Sequence, residues 1–171
     1  LDKALEDQVM AEIVDPVVCG MAAENTPYHG VLYVGLMLTE KGPQVIEFNC
    51  RLGDPEAQAI LPRLKTDIVS AMMATTTASL HHFDMRWDQR SAVTVVMANK
   101  GYPGNYEKGD VIRNLEVAER TDDCYVFHAG TARDNKGDVI AVGGRVLTVT
   151  ALGDDTASAR KKAYEVVTKI A

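Results

Sequence analysis

Two short apolar runs, VLYVGLML at residues 31–38 and VIEFNC at residues 45–50, flank the connector TEKGPQ. Both runs are rich in β-branched, aliphatic and aromatic residues, and Gly42 and Pro43 punctuate the link between them. Runs this short and this close together predict an antiparallel hairpin. The second run passes directly into RLGDPEAQ, residues 51–58. There Asp54-Pro55-Glu56 reads as a helix start, with Asp54 as cap, Pro55 at the first helical position and Glu56 at the positive end of the dipole.

Side chains on a strand alternate between its two faces. Val45, Glu47, Asn49 and Arg51 therefore share one face, while Ile46, Phe48 and Cys50 share the other and suit a core. Two readings fit the polar row. Carboxylate and carboxamide oxygens are hard ligands for Mg²⁺, which takes one or two protein groups and completes its shell with phosphates and water. A guanidinium beside them offers phosphate a two-pronged partner. The other reading is a solvated strand face with an internal Glu–Arg pair, and spacing alone leans that way. Asp54 and Glu56 have capping and dipole roles that are compatible with anion binding at a helix start.

The rest of the chain reads in alternating textures. Residues 1–24 carry Leu5, Val9 and Ile13 at helical spacing, with Asp15-Pro16 as the expected break or restart. The chain opens without Met inside that pattern, which suggests a portion of a longer protein, with processing or disorder upstream as the alternative. A further helix is expected after Thr66-Asp67, with Leu64, Ile68 and Met72 on one face. The polar stretch around residues 75–91 is the candidate boundary. Beyond it come the β-run SAVTVVMA, the glycine-rich KGYPGNYEKG, three more short strands joined by Asn-Lys-Gly and Gly-Gly turns, and a capped C-terminal helix with Ala163, Val166, Val167 and Ile170 on one face. This is an α+β pattern.

A net charge of −6 and a pI near 5.2 argue against bulk-charge attachment to nucleic acid. No window approaches the ~20 apolar residues of a membrane span. Cys19, Cys50 and Cys124 are isolated, and their odd number without CxxC spacing argues against a zinc knuckle or a disulfide framework. The expectation is buried thiols in a reducing cytoplasm. His81-His82 reads as an exposed loop pair, and His128 inside YVFHAG as a core or interface histidine. The KGYPGNYEKG and GGRV segments either form tight turns or close over a ligand, with Lys100 and Arg145 as their chemical groups. GxxxxGK(S/T), strand-following GxGxxG, HExxH and GxSxG patterns are absent.

RLGDPEAQA resembles the signature segment of the phosphoribosylamine–glycine ligase (glycinamide ribonucleotide synthetase) family, within the ATP-grasp superfamily. The likeness extends through GVLYVGLMLTEKGPQVIEFNCRLGDPE, NKGYPGNYEKGDVI, VFHAGTA, GGRVLTVTALGD and ARKKAYEVV, from about residue 28 to the end. It implies the C-terminal part of an ATP-grasp domain at residues 1–80, a linker at 81–91 and a small antiparallel β-rich domain with a C-terminal helix at 92–171. The implied reaction joins glycine to 5-phosphoribosylamine at the expense of ATP, through glycyl phosphate, in cytoplasmic purine biosynthesis.

The resemblance also implies roles for single residues. Glu47 and Asn49 match the ligands of a catalytic Mg²⁺ or Mn²⁺. Arg51, Gly53, Asp54 and Glu56 match the phosphate and substrate side of the cleft, with Arg51 and Asp54 as the catalytic candidates. Lys100 and Arg145 border the same cleft as cofactor-binding candidates. Many ATP-grasp enzymes carry another acidic ligand on the preceding strand, whereas GVLYVGLML has none, so water is expected to complete the metal shell. The family's N-terminal domain and its lysine-bearing nucleotide lobe have no counterpart in this sequence. On that comparison these residues alone are expected to be inactive. Two alternatives stand beside this one: a non-catalytic structural module, or another ATP-grasp carboxylate–amine ligase.

Overall fold

The computed structural model describes residues 2–171, apart from the side chain of Glu119. It divides into two compact units, residues 2–53 with 66–84, and residues 54–65 with 85–171. The division is thus not a single cut, because the segment 54–65 belongs to the second unit.

The first unit opens with a helix that does not break at Pro16. Helix α1 (Lys3–Val9) runs through a π-helical turn, Met10–Val14, into α2 (Asp15–Ala23). The Asp15 amide donates to the Met10 carbonyl, five residues back. A widened turn of this kind lets a helix continue past a residue that has no N–H to give. Of the expected break or restart, the structure has the restart: α2 begins at Asp15 after a local change of pitch.

Strands β1 (Tyr33–Thr39) and β2 (Gly42–Asn49) form the expected antiparallel hairpin, closed by a two-residue turn. Gly42 at φ +91° supplies the left-handed residue beside that turn. Gly35 lies opposite Glu47 and Leu36 opposite Val45, so Ile46 is an extra, bulged residue. The expected core face is not buried. Ile46 is 62% exposed and Phe48 41%, and Cys50 is exposed as well. A two-stranded ribbon has no second layer of its own, and among the described residues of the first unit this face stays exposed. Helix α4 (Ile68–Thr76) also begins where expected: the Asp67 carboxylate accepts from the amides of Val69 and Ser70.

In the second unit, the chain enters through α3 (Glu56–Ile60). A three-stranded antiparallel sheet in the order β3-β7-β4 follows, built from β3 (Ser91–Ala98), β4 (Cys124–His128) and β7 (Arg145–Gly153). The short α5 (Glu116–Glu119) precedes β4, and β5 (Thr131–Arg133) pairs with β6 (Val139–Ala141). Four strands thus replace the three expected after residue 123. The two expected turns are present, and the additional break falls at Ala129-Gly130, between β4 and β5.

Central strand β7 is buried along its length after Arg145. Its Leu147, Val149 and Ala151 pack with Ala163, Val166 and Ile170 of the C-terminal segment, the core of this unit. Helix α6 (Thr156–Val167) carries a capping box: the Asp155 carboxylate accepts from the Ser158 amide at 2.6 Å, and Ser158 Oγ accepts from the Asp155 amide at 3.1 Å. No helix among the described residues is long and apolar enough to cross a membrane.

Candidate functional site

In the first unit, the end of β2 brings two of the expected residues together. Asn49 Nδ2 donates to Glu47 Oε1 at 3.0 Å, so carboxylate and carboxamide share one face beyond the bulge. Across the hairpin stands Gly35. A Cβ there would sit 3.1 Å from Glu47 Cγ, so the glycine leaves room for the Glu47 side chain. Glu47 is exposed and Asn49 half-buried. Among the described residues no ion pair joins Glu47 to Arg51. The Arg51 Nη1 group donates instead to the Leu52 carbonyl at 2.9 Å. The internal Glu–Arg pair of the solvated-face reading is therefore not formed. Gly53, at the end of this segment, is buried.

The second unit holds a separate arrangement around Asp54. Its side chain does not cap α3, which has Pro55 before it and no side-chain cap, behind a cis Asp54-Pro55 bond. The carboxylate turns to other partners. Arg145 Nη2 donates to Asp54 Oδ2 at 2.9 Å and Nη1 to the Asp54 carbonyl at 3.1 Å, while Gln58 Nε2 donates to Asp54 Oδ1 at 2.9 Å. The capping expectation fails because a guanidinium competes for the carboxylate, a partner that local sequence does not disclose. Glu56 is half-buried in the first turn of α3. Lys100 is exposed and lines a cavity of about 570 Å³ with Asn99, Gly101, Asn105, Tyr106 and Asp110.

The other polar candidates settle differently. His81 and His82 are exposed, as expected. His128 is exposed rather than in the core, with Nδ1 2.9 Å from Thr131 Oγ1. Of the cysteines only Cys124 is buried, where burial pushes its thiol pKa up; Cys19 and Cys50 are exposed. The apolar neighbours of Cys19 and Cys50 mislead because neither segment is covered. Gln58, one helical turn from Asp54, and Thr150, which bonds the Gln58 carbonyl from 92 residues away, are not among the residues the sequence singles out; no local signal joins Thr150 to this turn.

Donor chemistry at Glu47 and Asn49 fits a hard divalent cation that takes few protein ligands. Among the described residues there is no group of three or more His, Cys, Asp or Glu side chains that could hold a metal by itself.

Residues 1–57 match the family described as phosphoribosylglycinamide synthetase, ATP-grasp (A) domain, and residues 92–171 match phosphoribosylglycinamide synthetase, C domain. The chain belongs to the phosphoribosylglycinamide synthetase family. It is 49% identical to the chloroplastic phosphoribosylamine–glycine ligase of Arabidopsis thaliana, over 99% of this chain and 32% of that protein. Identity to the Escherichia coli O157:H7 phosphoribosylamine–glycine ligase is 47%, over 97% of this chain and 39% of that one.

Among solved structures, the phosphoribosylamine–glycine ligase of Thermotoga maritima superposes with a TM-score of 0.82 at 32% identity, covering 100% of this chain and 41% of that one. The N5-carboxyaminoimidazole ribonucleotide synthetase of the same organism, with a TM-score of 0.60 at 14% identity, shares the fold. As a member of this family, the chain comprises the C-terminal part of an ATP-grasp domain and a small antiparallel β-rich domain ending in a helix. It spans between 32% and 56% of the first three curated relatives it matches.

Proposed function

We propose that this chain provides part of the active site of an ATP-dependent ligase that joins glycine to 5-phosphoribosylamine. The observation that carries the reading is the pairing of the Glu47 carboxylate with the Asn49 carboxamide, whose Nδ2 donates to Glu47 Oε1 at 3.0 Å immediately before RLGDPE in a chain of this family. Glu47 and Asn49 would hold Mg²⁺ or Mn²⁺, which when bound supplies charge neutralisation at the ATP phosphates. Arg51 offers its guanidinium to phosphate. Gly53, Asp54 and Glu56 belong to the phosphate and substrate side of the cleft, and Lys100 and Arg145 border it. The linear order is ATP-grasp portion at 1–80, connection at 81–91 and C-terminal domain at 92–171.

The chemistry asks for charge placement more than for an acid or base. The glycine carboxylate attacks the γ-phosphorus of ATP, ADP leaves, and glycyl phosphate forms. The amine of 5-phosphoribosylamine then attacks the carbonyl carbon. The C–N bond forms, phosphate departs, the nitrogen loses a proton, and glycinamide ribonucleotide results. On this reading the enzyme works in the cytoplasm.

The test is Glu47→Ala in the natural polypeptide that carries these residues. The variant is expected to keep its circular dichroism and lose ATP- and glycine-dependent formation of glycinamide ribonucleotide. Unchanged turnover would remove Glu47 from the metal site. Turnover with a different acid or amine in a substrate panel would point to another carboxylate–amine ligase. Calorimetry on the 171-residue chain separates a nucleotide-binding unit from an inert module, because micromolar binding of Mg-ATP excludes the inert one.

A further inference from the structure

Strand β7 carries an irregularity that aims one side chain. Leu147, Val149 and Ala151 face the core, and Thr150 faces the other way, where its Oγ1 donates to the Gln58 carbonyl at 2.9 Å. Simple alternation would put Arg145, five residues before Thr150, on the core face. The register prevents this. Met97 lies opposite Leu147 but Ala98 opposite Arg145, so Val146 is a bulged extra residue. Val146 and Leu147 both belong to the buried core cluster, as consecutive residues at a bulge can. Beyond the bulge Arg145 is turned to the Thr150 side, where it meets both the carboxylate and the carbonyl of Asp54.

The turn at 54–58 is thereby tied to one strand at both ends. Arg145 holds Asp54, Thr150 holds Gln58, and the Gln58 amide group closes the loop by donating to the free oxygen of the Asp54 carboxylate. Between these two anchors lies Glu56. We infer that Arg145 is a positioning residue of the ligase site: it acts through Asp54 to fix the first turn of α3 and the Glu56 that this turn carries. The role of the turn rests on the functional reading above; the tether itself does not. Both prongs of the Arg145 fork are engaged within the protein, so its effect on a ligand passes through the turn.

Amide hydrogen exchange on this chain tests the tether. R145M is expected to speed exchange of the Gln58 amide, which donates to the Pro55 carbonyl, by about fivefold, the order an exposed charged pair supports. Amides of β3 and β7 should keep their wild-type rates. R145K, which keeps the charge without the fork, should recover less than half of the lost protection. The double variant D54A/R145M should exchange no faster than the faster single variant, since the two groups act on each other. Wild-type exchange in R145M, or additive effects in the double variant, overturns the inference.

In the natural polypeptide, D54A and R145M should raise KM for ATP non-additively. Additive losses would mean that Arg145 meets the ligand itself and would overturn the assignment. A wild-type polypeptide with no ligase activity would refute the functional reading instead, and the exchange result would still decide the tether.

Discussion

Thr150→Val probes the polar join between the sheet and the segment 54–65. Thr150 is fully buried, and its Oγ1 lies 2.9 Å from the Gln58 carbonyl and 2.8 Å from Thr94 Oγ1. The single hydroxyl proton of Thr150 goes to Gln58, so Thr94 must donate to Thr150. Valine keeps the shape and replaces the hydroxyl by a methyl, so both bonds vanish together. Each is worth about 1 kcal/mol net, and the half-buried Gln58 and Thr94 are left with partial access to water, giving a loss of about 2 kcal/mol. For a chain of this size that lowers the thermal midpoint by about 4–8 °C.

Urea titration followed by circular dichroism measures this, with an unchanged m-value showing that the folded and unfolded states keep their compactness. T94V alone should cost about half as much, and the T94V/T150V double variant little more than T150V, because the Thr94 bond is already gone. A T150V chain within about 0.5 kcal/mol of wild type would refute the claim that these hydroxyls fasten the segment.

Two further outcomes follow from the electrostatics. Asp88 takes a two-pronged bond from Arg90, from Nε at 3.1 Å and Nη2 at 2.9 Å, which holds its carboxyl far below the usual range; Arg90 also depresses Asp123. A depressed folded pKa gives stability that is present above the unfolded value of about 4 and lost as pH falls through the folded one. Acid titration of stability should therefore steepen below about pH 4, and D88N should flatten that limb; equal slopes would contradict the pairing. With iodoacetamide at mild alkaline pH, mass spectrometry should find Cys19 and Cys50 alkylated at least about tenfold faster than Cys124, which is buried with a raised pKa. Equal rates at the three thiols would contradict the burial assigned to Cys124.

Features that depend on neighbours in sequence were legible. The β1–β2 hairpin, the helix after Thr66-Asp67 and the capped C-terminal helix rest on groups within a few residues of one another, and the structure has all three. The closeness of Glu47 and Asn49 was legible for the same reason, since two positions apart on a strand means one face. Legibility failed where a distant residue or a covering layer decides the outcome. Asp54 has the sequence of a cap, but Arg145, 91 residues on, takes its carboxylate. Phe48 and Cys50 have the hydropathy of a core, yet hydropathy states a preference for burial and cannot supply the layer that would bury them.

By itself, then, the sequence determined most local elements, the family and the closeness of Glu47 and Asn49, because periodicity, capping chemistry and motif order are properties of short stretches. Tertiary structure alone decided which unit the segment 54–65 joins and what holds its first turn there. The bulge at Val146 is the physical reason: a register slip against β3, set by how two strands pair, reverses the face of Arg145 and brings it to Asp54.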